Sequence, residues 1–391
     1  MILLRKEVVC SLLYIFIVVP TFWCGMSGDS TISNEVARNI IIYNGYVGIF
    51  IMFIFAIYKN IVVLSKNNIL GCCVVIVFWI LYYFDSYVVV NPDILNILFL
   101  NFFLLLKNEV KAIIYCYFKN VLLVSSFMGI IFYIVTVWGM DIGQTVAPYY
   151  SVHSEGKAFY IVWGPLNIFL EGFYLRLCGF FNEPGFLGTV LAIVLTIEKY
   201  NLNKKNMVFM LAGVLSWSLA FFAISLINIL YRQYNNIKNL ILVAIVVSFI
   251  GGVVFVNNPN IEHIWYRLSI DSNWNFVGDN RSNKDIDEGF ADTLTSEYIL
   301  LGHGTGYSRT ISSESFASYK TLFIEHGILG TIVTYGGILA LVVKISKRQK
   351  NCIWLIFIYF VSLYQRPVLF LSVYFILLFG GIQYILKQQK I

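Results

Sequence analysis

What this chain can fold into is set first by a succession of apolar runs, most near the thickness of a bilayer and parted by few charges. They lie at 8–25, 40–58, 69–88, 92–106, 121–138, 186–198, 206–217, 218–231, 239–256, 319–343, 351–365 and 367–386. A hydrocarbon core about 30 Å thick asks for roughly 20 apolar residues per helix, fewer where the bilayer thins or the segment packs inside a bundle. With 59% of residues hydrophobic and 12% charged, a water-soluble domain of 391 residues would expose far too much apolar surface. The expected fold is an all-α polytopic membrane protein with about twelve transmembrane helices and two long external loops containing short helices.

Segment 206–231 reads either as one long helix or as two short ones turning at Ser216-Trp217-Ser218. Charge favours the hairpin. Lys204 and Lys205 precede it, Arg232 and Lys238 follow it, and the cytoplasmic excess of Lys and Arg places both ends inside. Carried along twelve spans from Arg5 and Lys6, the same rule gives an N-in, C-in topology. The first span ends in Pro20-Thr-Phe-Trp-Cys24 without the small residues of a signal-peptidase site, and reads as an uncleaved anchor. The organisation is then helices 1–5 in residues 1–138, a first external loop at 139–185, helices 6–9 in 186–256, a second loop at 257–318 and helices 10–12 in 319–391. Segment 112–119, among Lys107, Lys111 and Lys119, reads as a cytoplasmic interfacial helix.

Seven cysteines show neither metal spacing nor a disulfide framework, and no metal or cofactor is expected. A net charge of +6, concentrated beside anionic headgroups, makes membrane lipids the natural partner and needs no nucleic acid.

Charge inside such a chain is costly, so function is sought where it collects. In Arg176-x-x-Gly179-x-x-x-x-Pro184-x-x-x-Gly188 an arginine precedes a glycine, Glu183 and a proline suited to a first helical turn. A carboxylate before a helix's positive end is favoured ionised, so Glu183 suits a base or a cap equally. Arg176 suits a phosphate, or an ion pair with Glu171 or Glu183. Arg267, Arg281 and Arg309 carry the same two readings, Arg281 with Asp279 as its nearest candidate partner.

The second cluster is the glycine-rich turn Leu301-Gly-His-Gly-Thr-Gly-Tyr307, which places His303 either as a proton acceptor or as a solvated loop residue. His326 beside Glu325 reads as a buried polar pair that satisfies itself. The loop aromatics, Tyr298 and Tyr307 among them, are interfacial anchors or platforms for sugar rings.

These clusters, with the Leu215-Ser-Trp-Ser218 turn, resemble the O-antigen polymerase (Wzy-type) and O-antigen ligase superfamily over residues 100–345. Arg176, Gly179, Pro184 and Gly188 match its arginine-glycine-proline motif, 301–306 its glycine turn, and Glu325-x-Gly327-x-x-Gly330 its final glutamate-glycine helix. Phe316 stands where the ligase branch has a histidine, about eleven residues before Gly327, which favours the polymerase. The resemblance implies a membrane glycosyltransferase of GT-C-like fold, metal-independent and without cofactor. It would polymerise undecaprenyl-diphosphate-linked oligosaccharide units into O-antigen or a similar surface polysaccharide. That activity belongs on the periplasmic face of the inner, cytoplasmic membrane, with a chain-length regulator as partner. Catalysis falls to Arg176, Glu183 and His303, and diphosphate or glycan binding to Arg267, Arg281, Arg309 and Tyr307. The ligase and a transporter or flippase of lipid-linked oligosaccharide stand as alternatives.

Overall fold

A computed structural model describes residues 5–25, 35–83, 92–140, 144–149, 158–171, 174–233, 269, 283–304, 306–312, 319–365 and 370–389. The chain is mostly helical there and divides into two compact units, Met1–Leu122 with Arg281–Ile391, and Leu123–Asn280.

The first unit holds α1 (Lys6–Gly25), α2 (Glu35–Tyr58), α3 (Lys66–Tyr83), α4 (Pro92–Leu105) and the first half of α5 (Asn108–Val137). The second unit carries the rest of α5. It continues with strands β1 (Thr145–Tyr149), β2 (Ala158–Trp163), β3 (Leu166–Glu171) and β4 (Tyr174–Gly179), then α6 (Pro184–Ile197), α7 (Lys204–Leu215) and α8 (Leu219–Gln233). Returning to the first unit are α9 (Lys284–Thr295), α10 (Tyr319–Ile345) and α11 (Lys350–Gln365). Last comes α12, in which Ser372–Phe375, Ile376–Gly380 and Gly381–Gln388 run on as one helix.

Eleven of the twelve apolar runs coincide with these helices, and 239–256 lies outside the described residues. Helix length tells a narrower story. Among the described residues, Asn39–Tyr58, Asn108–Val137 and Tyr319–Ile345 are long and apolar enough to cross a membrane, far fewer than twelve. The 14 residues of α6 and the 12 of α7 rise only about 21 and about 18 Å, short of a bilayer core of about 30 Å. The hairpin reading of 206–231 holds: α7 and α8 turn at Ser216-Trp217-Ser218, with Trp217 at φ 49°. Asn203 caps α7 by accepting the Asn206 amide at 2.9 Å.

Two expectations are corrected. Segment 112–119 is no separate interfacial helix but the interior of α5, because Val110, Ala112, Ile114, Tyr115 and Phe118 are buried rather than laid on a surface. Lys111 itself is 2% exposed, its Nζ 3.5 Å from Asn68 Oδ1. The first external loop contains not short helices but a four-stranded antiparallel sheet in the order β1-β2-β3-β4. Gly164 and Pro165 join β2 to β3 in a two-residue turn, with Gly164 at φ 60°, the positive value such a hairpin needs at its first position. Both sheet faces are buried: Tyr160, Val162, Phe169 and Cys178 cluster on one, while Ile161, Trp163, Ile168 and Leu177 line the other. A strand buried on both sides loses the alternation that would announce it in the sequence. The second face is closed by α5, where Phe132 stacks on Trp163 at 4.7 Å and the Tyr133 hydroxyl donates to Leu175 O at 3.1 Å.

Candidate functional site

The arginine-glycine-proline motif is built around the α7–α8 turn, inside the second unit. Helix α7 ends there with carbonyl groups that have no partner in the helix. Arg176 on β4 supplies two donors: Nε reaches Ser216 O and Nη2 reaches Trp217 O, each at 3.2 Å. Gly188 on α6 faces the same turn. A Cβ added there would lie 2.3 Å from Ser218 Cβ and 2.9 Å from Ser216 Oγ, so only glycine lets the helix approach this closely. Gly179, at φ 61°, ends β4 in a conformation that few side chains tolerate.

Glu183 occupies the N-cap of α6 with extended backbone (φ −140°, ψ 127°), its carbonyl accepting the Phe186 and Leu187 amides at 3.1 and 3.2 Å. Its carboxylate makes no capping hydrogen bond to the helix. Pro184 follows at the first helical position, as the motif requires. The buried Cys178 thiol on β4 feels both charges: burial pushes it up, Arg176 pulls it down in part and Glu183 raises it further.

His303 and Tyr307 belong to the first unit, where the glycine turn meets a break in α10. Gly327 takes φ 60° within that helix, which interrupts the hydrogen-bond ladder and frees the carbonyls before it. The glycine turn takes them up: His303 N donates to Ile324 O at 2.9 Å and Gly304 N to Glu325 O at 3.0 Å, while Leu329 N returns a bond to Leu300 O at 3.0 Å. Backbone lies on backbone here. A Cβ on Gly302 would come 2.3 Å from Glu325 O, and one on Gly327 would come 2.6 Å from Leu300 C and O.

At this junction the His303 imidazole is sandwiched between two tyrosines, 4.1 Å from the Tyr298 ring and 4.2 Å from the Tyr307 ring. Both tyrosines are exposed, so the stack presents an aromatic surface. At the same junction the Ser308 hydroxyl donates to Glu325 Oε1 at 2.5 Å, and Glu325 Oε2 stands 3.7 Å from His326 Nε2. Glu325 and His326 do lie side by side, but the pair does not satisfy itself: 3.7 Å is too long for a hydrogen bond, and the Glu325 carboxylate is held by Ser308, which the sequence did not announce. Helix α9 supports the assembly: Ile286 packs on Ile324, and Lys320 Nζ holds Asp287 Oδ1 at 2.6 Å.

Arg176 and Glu183 therefore share one unit, and His303 with Tyr307 the other. Arg267 and Arg281 lie outside the described residues, as does the side chain of Arg309, whose backbone sits in the single helical turn Ser308–Ile311. Ser308 is the candidate that sequence reasoning did not single out, and neither Tyr298 nor Glu325 was read as a neighbour of His303. Their spacing shows no periodicity, because a tight turn and a kink bring them together. Compared with family models, curated proteins and solved structures, the chain finds no match.

Proposed function

We propose that this protein is a membrane glycosyltransferase that polymerises undecaprenyl-diphosphate-linked oligosaccharide units, an O-antigen polymerase of the Wzy type. The observation that carries the reading is the exposed Tyr298–His303–Tyr307 stack at the same backbone junction as a hydrogen-bonded carboxylate. Aromatic faces suit the apolar faces of sugar rings, and a carboxylate suits removal of a hydroxyl proton. In a chain with so little charge, this grouping is an expensive arrangement for a bare scaffold.

The rest of the proposal extends that core. The chain crosses the inner membrane about twelve times with both termini inside, several spans being the short helices of a locally thinned bilayer, and the chemistry faces the periplasm. Arg176, whose Nε and Nη2 hold the α7–α8 turn, is the residue to which charge stabilisation on the departing diphosphate falls, and Arg267, Arg281 and Arg309 are the further candidates for binding it. The substrates are lipid-linked glycans, and a chain-length regulator is the expected protein partner. Purified protein in lipid vesicles, given a synthetic undecaprenyl-diphosphate-linked repeat unit, should make a ladder of longer glycans. Folded protein that makes none removes the polymerase assignment.

One observation favours a second reading, transport of the lipid-linked unit. Lys111 is buried in the first turn of a candidate span, an ionisable group at the end of a helix where a transport path would open. Deletion of the gene separates the two: single repeat units still reaching the outer lipid indicate a lost polymerase, and none reaching it indicates a lost transporter.

A further inference from the structure

The break in α10 does more than bend a helix. It turns Glu325 toward Ser308 and fixes it through backbone bonds on either side, since its own carbonyl accepts Gly304 N and the preceding carbonyl accepts His303 N. The same two bonds fix the aromatic stack, because His303 is its middle ring. The backbones that carry the carboxylate and the middle ring of the stack are therefore tied directly to each other. Beside them, a Cβ on Gly304 or Gly306 would meet nothing within 4 Å, so the turn leaves open space next to the rings.

Resting on the polymerase reading, we infer that Glu325 is the proton acceptor of the transfer and that the acceptor sugar lies against the Tyr298–His303–Tyr307 stack. An ionised carboxylate offers about four lone-pair sites, and Ser308 fills one of them. The Glu325 side chain is 12% exposed, so it is partly reachable from outside while mostly enclosed by protein. His303 is suited to a different task. Both of its ring faces are covered by tyrosines, so it sets the spacing of the platform and positions the sugar. In the step itself the acceptor hydroxyl oxygen forms a bond to the anomeric carbon of the lipid-linked chain. The bond from that carbon to the diphosphate oxygen breaks, its electron pair leaves with the undecaprenyl diphosphate, and the hydroxyl proton passes to Glu325.

The test compares variants in vesicles with the synthetic lipid-linked unit. Glu325→Gln keeps an acceptor for Ser308 but cannot take a proton, so turnover should fall by about 10²–10⁴-fold with the acceptor KM little changed. Glu325→Asp should retain measurable turnover, and formate should raise the rate of Glu325→Ala, a rescue that a purely structural role would not give. Tyr307→Leu should raise the acceptor KM and leave kcat nearly intact. Glu325→Gln within threefold of wild type, or a Glu325→Ala rate untouched by formate, overturns the assignment while wild-type polymer still supports the polymerase. If Glu325→Gln does not fold, Glu325→Asp decides: a tenfold loss of turnover at unchanged melting temperature supports the inference, and a wild-type rate sinks it. Wild-type protein that makes no polymer fails the underlying reading instead.

Discussion

Replacing Gly188 by alanine tests whether the motif's last glycine exists to let α6 touch the α7–α8 turn. The new methyl would sit 2.3 Å from Ser218 Cβ, 2.7 Å from Ser218 Oγ and 2.9 Å from Ser216 Oγ. Carbon atoms rest about 3.5–4.0 Å apart, so helix and turn must separate by about 1 Å or more. Alanine's better helix propensity returns about 0.8–1 kcal/mol. Against it stand overpacking, at about 1–3 kcal/mol, and the Arg176 bonds to Ser216 O and Trp217 O, at about 1.5–3 kcal/mol each, of which at least one should stretch beyond use. The net expectation is a destabilisation of about 2–4 kcal/mol. Ser218→Gly removes the two nearest clashing atoms. By itself it should cost only about 0.5–1 kcal/mol, since the Ser218 hydroxyl's bonds to Gly185 O and Phe221 N are both long at 3.4 Å. The double variant should then be more stable than Gly188→Ala alone, with a coupling of at least about 1.5 kcal/mol. Detergent-driven unfolding in mixed micelles, followed by tryptophan fluorescence, measures all three. Additive effects, or a Gly188→Ala protein as stable as wild type, would refute the reasoning.

At the other junction, Gly302→Ala and Gly327→Ala drive a methyl into backbone atoms and should abolish folded protein on size-exclusion chromatography. Gly304→Ala meets no neighbour and should cost only the left-handed backbone strain, about 1–2 kcal/mol. Burial raises the Cys178 thiol above its ordinary value of 9.0, so the native state holds this proton more tightly than the unfolded chain. Its contribution to stability is present below about pH 9 and is lost as the pH rises toward the raised value; at pH 8 the folded protein should resist alkylation at Cys178, read by mass spectrometry, until denaturant is added. Lys111→Met keeps the volume of a buried side chain whose one hydrogen-bond acceptor is distant, and should leave stability unchanged or higher. Lys111→Ala should lose about 2–5 kcal/mol to a cavity, measured in the same micelle titration.

The sequence alone located most of the helices, because an apolar run between charges is a local property and needs no partner to be recognised; the polar α9 and the first turns of α5 fall outside those runs. It also determined the turn at Ser216-Trp217-Ser218, where basic residues flank the apolar run at both ends, and the start of α6 at Pro184. Which groups meet was decided by the tertiary structure. Arg176 could be read as a phosphate ligand or an ion-pair partner, yet Nε and Nη2 hold carbonyl oxygens of a turn forty residues on, a contact set by how β4 packs on α7. The sheet in residues 145–179 stayed hidden because burial of both faces erased its alternation. His303 looked like an isolated loop histidine, and only the closure of the glycine turn onto the Gly327 break stacks it between Tyr298 and Tyr307 at the junction that carries Glu325. Local patterns record how much each residue wants to leave water; they carry no record of which distant backbone groups a kinked helix or an ended one will leave open.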